Sequence, residues 1–140
     1  FIGSHVVDRG IISESSYLDS LYKIKYHLNQ EGIELIYINH RGESNKVLNK
    51  IKKILEVKSL LLPLELAFLN DSQPSMFIGN FSSALFTVSR IYSNTKVRAY
   101  LFDKSDVKGS PTESSADILR VQEELYLDPI VDTIMLNNLK

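Results

Sequence analysis

The sequence predicts an α/β domain, with a parallel sheet of about five strands covered by helices on both faces. Three observations predict it. Short apolar runs alternate with amphipathic segments of helical period, in the succession βαβαβαβαβ. Each connection between runs is long enough for a helix, which a parallel return requires, and such crossovers are right-handed. Finally, 140 residues with 44% hydrophobic side chains can bury one core without staples.

Residues 1–7 read as the first strand, and the turn Asp8-Arg9-Gly10 leads to Ser13, an N-cap for a helix over residues 14 to about 29. Tyr17, Leu18, Leu21, Ile24 and Leu28 line one face of that helix. Gly32 ends it, and residues 33–38 form the second strand. Residues 43–56 read as a helix with Val47, Leu48, Ile51, Ile54 and Leu55 inward and Lys46, Lys50, Lys52 and Lys53 in solvent. The third strand spans residues 57–62 and stops at Pro63, before a brief helix over 64–69. Residues 70–74 are loop by composition. The fourth strand is 75–78, a helix over 82–92 is buried through Leu85, Val88 and Ile91, and the fifth strand is 96–102. Residues 103–113 have loop chemistry, a helix over about 115–126 is stopped by Asp128-Pro129, and residues 130–139 form a final amphipathic segment that packs on the sheet or on a neighbour.

Composition narrows the function. Net charge is −1 with both signs spread along the chain, so no basic face offers itself to nucleic acid. The absence of cysteine removes disulfides, thiolate zinc sites and cysteine nucleophiles. No apolar run reaches the ~20 residues of a membrane span, and a soluble chain is expected. The chain begins Phe1-Ile2-Gly3 inside an expected strand, and residues 1–140 are read as one domain, trimmed or cut from a longer protein.

Ligands of open α/β sheets bind outside the carboxyl ends of the strands. Tyr37-Ile38-Asn39-His40-Arg41-Gly42-Glu43 delivers a His-Arg pair to such an end. His40 suits donation to a phosphate oxygen and, when protonated, acid catalysis toward a departing phosphate. Arg41 adds a permanent charge and a bidentate donor. Glu43 reads as a first-turn helix residue that complements the dipole. Further on, Met76-Phe77-Ile78-Gly79 runs into Asn80-Phe81-Ser82-Ser83, a strand, a glycine and a doubled serine opening a helix. One serine is explained by capping, and the second is surplus, so the pair with Gly79 makes a phosphate cradle. Glu65, after Pro63, is placed either to receive ribose hydroxyls or simply in a first helical turn. Asp8 belongs to its turn. His5 reads as a strand residue, His27 as a helix-surface residue, and Asp103 ends a strand without a recognisable partner. Neither G-x-x-x-x-G-K-[ST] nor G-x-G-x-x-G is present, and no metal-ligand cluster is evident.

At these residues the chain resembles the bacterial sialyltransferases and polysialyltransferases, two-domain GT-B glycosyltransferases that build lipooligosaccharide caps and polysialic acid capsules. The likeness is to the C-terminal, donor-binding, Rossmann-like half. It rests on Ile-Gly-Ser-His-Val-Val-Asp-Arg-Gly-Ile-Ile-Ser-Glu at the start, Tyr-Ile-Asn-His-Arg-Gly-Glu, Leu62-Pro63-Leu64-Glu65, and Ile78-Gly79-Asn80-Phe81-Ser82-Ser83-Ala84-Leu85, over roughly the first hundred residues. The resemblance implies that His40 contacts the phosphate of CMP-sialic acid and assists its departure, and that Ser82 and Ser83 hold the same phosphate. Arg41 stands where the family usually has proline. The family's acidic pair before glycine, which carries the general base, has only a degraded likeness in Asp8-Arg9-Gly10, so the base is not assigned here.

The implied reaction transfers sialic acid from CMP-sialic acid to a sugar hydroxyl of a cell-surface glycan, with no cofactor and no metal. The implied partners are the nucleotide-sugar donor, a glycan acceptor and an N-terminal domain carrying the acceptor pocket, without which this domain does little chemistry. The implied setting for the whole protein is bacterial, in the cytoplasm or peripherally at the inner face of the inner membrane, with a homodimer as one option and the oligomeric state left open. Two other classes stay open: a non-catalytic Rossmann-like regulatory or assembly domain, and the donor half of an enzyme using UDP- or GDP-sugars.

Overall fold

The computed structural model describes residues 1–69, 73–109 and 114–139, and its fold is mixed α/β. The strands β1 (Ile36–Ile38), β2 (Glu56–Lys58), β3 (Met76–Gly79), β4 (Lys96–Leu101) and β5 (Val131–Met135) all pair in parallel. They form two small sheets, β1-β2 and β3-β4-β5, rather than the single five-stranded sheet expected. The helix α1 (Glu14–Gln30) precedes β1, and α2 (Asn45–Ile51), α3 (Leu64–Ala67), α4 (Ala84–Ile91) and α5 (Ser115–Leu127) run between successive strands.

The first segment lies between the two sheets. Ile2 forms a single parallel bridge with Ile38. On that side Ile38 N donates to Phe1 O at 2.7 Å and Gly3 N to Ile38 O at 2.8 Å; on the other, Ile2 N donates to Ile78 O at 2.6 Å. The strand expected over residues 1–7 is thus cut to one bridge. After Gly3 the backbone bonds to itself, with Arg9 N donating to His5 O, Gly10 N to Val7 O and Ile11 N to Val6 O. Gly10 makes the turn with a φ of 71°, open to glycine at little cost. Those local bonds consume the groups that a longer ladder would need.

Other boundaries shift for similar reasons. The helix expected over residues 43–56 starts after its N-cap Ser44 and ends at Ile51, where Ile54 N and Leu55 N both bond to the Ile51 carbonyl and turn the chain. Ile54 and Leu55 stay buried, and the third strand comes early and ends at Lys58, leaving Leu61 99% exposed. The final amphipathic segment resolves into β5, paired with β4 from Val97↔Val131 to Leu101↔Met135. Of the expected loops, residues 70–72 and 110–113 lie outside the described residues.

Alternation along β3 and β4 divides the core. Ile78 and Tyr100 join α1 residues Tyr17, Leu21 and Ile24 and α2 residue Ile51 in one cluster. Phe77, Val97, Ala99 and Leu101 join Leu85 and Val88 of α4 in the other. Successive strand residues point to opposite faces, so α1 and α2 cover one side of the β3-β4-β5 sheet and α4 the other.

Candidate functional site

Because residues 1–3 sit between β1 and β3, the loops leaving the carboxyl ends of those strands emerge side by side. His40 and Arg41 follow β1; Phe81, Ser82 and Ser83 follow β3. His40, Ser82 and Ser83 line the same two cavities. One, of about 340 Å³, is shared with Asn39, Arg41 and the apolar side chains of Leu60, Leu62 and Pro63. The other, of about 410 Å³, is shared with Ser4, His5, Arg9, Asp117 and Arg120.

The His40 ring is held from two directions. Its Nδ1 accepts the Gly42 N–H at 3.0 Å, which leaves the imidazole proton on Nε2. The His5 ring stacks on it, 4.5 Å between centroids and 25° from parallel. A Cβ on Gly42 would stand 3.3 Å from both His40 Nδ1 and His5 Cγ, so this glycine gives the rings their room. Burial first, then the charges of His5 and Arg41, lowers the His40 pKa below the ordinary histidine value. At neutral pH the side chain is therefore a neutral N–H donor, rather than the protonated acid allowed for in the sequence.

Glu43 lies just before the N-cap Ser44, outside the helix whose first turn it was expected to occupy, and only 8% of it is exposed. One carboxylate oxygen accepts the Tyr37 hydroxyl; the other accepts the His40 backbone N–H at 2.6 Å. Tyr37 in turn meets the Tyr17 hydroxyl at 2.8 Å, and Tyr17 reaches Ser4. Burial raises the Glu43 pKa against the lowering pull of these two hydrogen bonds, and the Asp8 charge raises it further. Burial likewise raises both tyrosines.

The opposite wall is less committed. Ser82 Oγ accepts the Ala84 N–H at 3.3 Å, while Ser83, at the N-cap of α4, makes no side-chain capping bond and is exposed. The helix expected from Ser82 begins at Ala84.

Two expected site residues stand elsewhere. Gly79 lines neither cavity; a Cβ there would meet Leu85 Cδ1 at 3.3 Å and the Ile2 carbonyl at 3.5 Å, so its bareness serves the packing of α4 and residues 1–3. Glu65 also lines neither cavity, and its carbonyl accepts the Tyr92 hydroxyl at 2.9 Å in the four-residue α3. Asp8 Oδ2 accepts the Ser44 N–H at 2.9 Å, a structural use. Asp103 has partners after all, accepting from Ser105 N at 2.9 Å and Asn137 Nδ2 at 3.5 Å. His27 is half-buried, with Nδ1 2.8 Å from the Tyr100 hydroxyl. Sequence reasoning missed Ser4, His5 and the burial of Glu43. Its one available signal was an acid set before the capping serine, in Gly42-Glu43-Ser44, where α2 has no acidic residue in its own first turn. Comparison with protein-family models, with curated proteins and with solved structures finds no match to this chain.

Proposed function

We propose that this chain is the donor-binding domain of a sialyltransferase, a Rossmann-like C-terminal half of a GT-B enzyme that takes CMP-sialic acid. The convergence of His40, Ser82 and Ser83 on shared cavities carries this reading. Counting residues 1–3 as a member, the strands run β2, β1, residues 1–3, β3, β4, β5, the order of a doubly wound sheet. The cavities lie where that order reverses, the crevice in which such sheets bind ligands.

In the transfer, the bond from the sialic acid anomeric carbon to the phosphate oxygen breaks, and its electron pair leaves with CMP. The acceptor hydroxyl oxygen forms the new bond and gives its proton to a base outside the residues assigned here. His40 Nε2–H and the hydroxyls of Ser82 and Ser83 donate to the phosphate oxygens, where negative charge grows. Donors aimed at growing charge favour the transition state over the ground state. Arg41, on the rim beside Leu60 and Leu62, adds a fixed positive charge.

The test is a calorimetric or NMR titration with CMP, using UDP and GDP as controls. CMP-selective binding weakened about tenfold or more by His40→Ala and by Ser82→Ala/Ser83→Ala is expected. Preference for UDP or GDP would move the chain to a different class of nucleotide-sugar enzyme. Absence of nucleotide binding by the folded full-length protein would leave a regulatory or assembly domain.

A further inference from the structure

We infer that Glu43 is the positioning residue of His40, setting the orientation and tautomer in which the imidazole faces the cavity. Glu43 is buried, yet among the described residues it is paired with no cation; its oxygens are spent on the Tyr37 hydroxyl and on the His40 N–H at 2.6 Å. A carboxylate on the peptide N–H of an exposed strand-end residue fixes the backbone from which the ring projects. The ring is then completed by Gly42 N–H on Nδ1 and by the stacked His5. Through the Tyr37 hydroxyl Glu43 is also tied to Tyr17 of α1, in the buried core.

Among the described residues, the charged and titratable groups facing this unit are Asp8 toward Glu43, His5 and Arg41 toward His40, Arg9, Asp117 and Arg120 around the cavity that His40 lines, and Tyr17 and Tyr37 within the chain. None is a cation set against the carboxylate. Ionisation of Glu43 is therefore felt mainly through its two hydrogen bonds, one of which ends on His40. The inference concerns how His40 is held and stands apart from the identity of the ligand.

The experiment is a pH titration of the ¹⁵N-labelled protein, reading the His40 ring nitrogens and the His40 amide. Wild type is expected to show a single Nε2–H tautomer and a His40 pKa below the ordinary value. Its amide and ring shifts should both inflect where Glu43 ionises, above the usual carboxylate range. Glu43→Gln keeps an acceptor for the His40 N–H and should keep the tautomer while losing that inflection. Glu43→Ala should let the ring average between tautomers and raise its pKa toward the ordinary value. Ring shifts in wild type that show no inflection with Glu43 would overturn the inference, as would a folded Glu43→Ala protein with an unchanged His40 tautomer and pKa. The wild-type arm decides the matter even where Glu43→Ala does not fold.

Discussion

At the junction of β1 and α2 the polar groups are already engaged. Ser44 Oγ takes the Val47 N–H, Ser44 N donates to Asp8, Glu43 takes the His40 N–H, and Gly42 N–H holds the His40 ring. At the junction of β3 and α4, across the same cavities, the Ser83 side chain makes no capping bond and, among the described residues, the Ser82 hydroxyl has only the 3.3 Å contact to Ala84 N. Ser13, Ser44 and Ser114 all cap their helices through the side chain, so the α4 start departs from those of α1, α2 and α5, the other helices that a serine precedes. One wall is pre-organised around a single donor, and the other holds donors that a ligand can still recruit. Binding cost falls when part of a site is already ordered, which makes such a division useful.

The comparison breaks most readily at the ordered wall. A Cβ on Gly3 would lie 2.6 Å from the Tyr37 hydroxyl oxygen and 2.7 Å from two ring carbons, in a packed interior. Gly3→Ala is expected to cost about 2–3 kcal/mol by urea denaturation, the upper range for overpacking. A cost under about 0.5 kcal/mol, the size of an ordinary surface change, would mean that Tyr37 is free to move and the wall is not rigid.

Tyr37→Phe leaves the ring and removes the hydroxyl that serves both Glu43 and Tyr17. The loss is expected to be about 1–3 kcal/mol, as for a buried acceptor left without its donor. It should be larger at pH 8 than at pH 4, because the ionised carboxylate needs that donor more.

The pH profile sharpens the contrast further. Because Glu43 has a folded pKa above its unfolded value, its contribution to stability is complete below the unfolded carboxylate pKa and is lost as pH rises through the folded one. Glu43→Gln should flatten that part of the profile, measured by thermal melts across pH. An unchanged slope would place the titration elsewhere.

The smallest effects separate the two helix starts. Ser44→Ala should cost about 1 kcal/mol, as for a working N-cap. Ser83→Ala should stay within about 0.5 kcal/mol. If Ser83→Ala costs as much as Ser44→Ala, the hydroxyl is structural and the open wall is not open.

Much of the molecule was legible because its causes are local. Ser13 and the Tyr17, Leu21, Ile24, Leu28 stripe mark α1 within one stretch of chain, and the helix falls on residues 14–30. β4 begins at Lys96 as read, with Tyr92 capping the preceding helix. His40, Ser82 and Ser83 were identifiable as strand-end and helix-start residues for the same reason. The final strand was not, because Val131, Ile134 and Met135 follow no strict alternation and only their pairing with β4 makes them extended.

What the sequence determined by itself is the succession of helices and strands and the chemistry carried to their ends, since both depend on neighbours a few residues away. The tertiary structure alone decided that residues 1–3 lie between β1 and β3, that Gly79 serves Leu85, that His5 stacks on His40, and that Glu43 is buried beneath Tyr37. Apart from the Gly79 and Leu85 contact and the Tyr37 and Glu43 contact, each joins groups far apart in the chain. Even that contact is paid for by distant atoms, because a carboxylate leaves water only where Tyr17, Tyr37 and the surrounding core have closed over it.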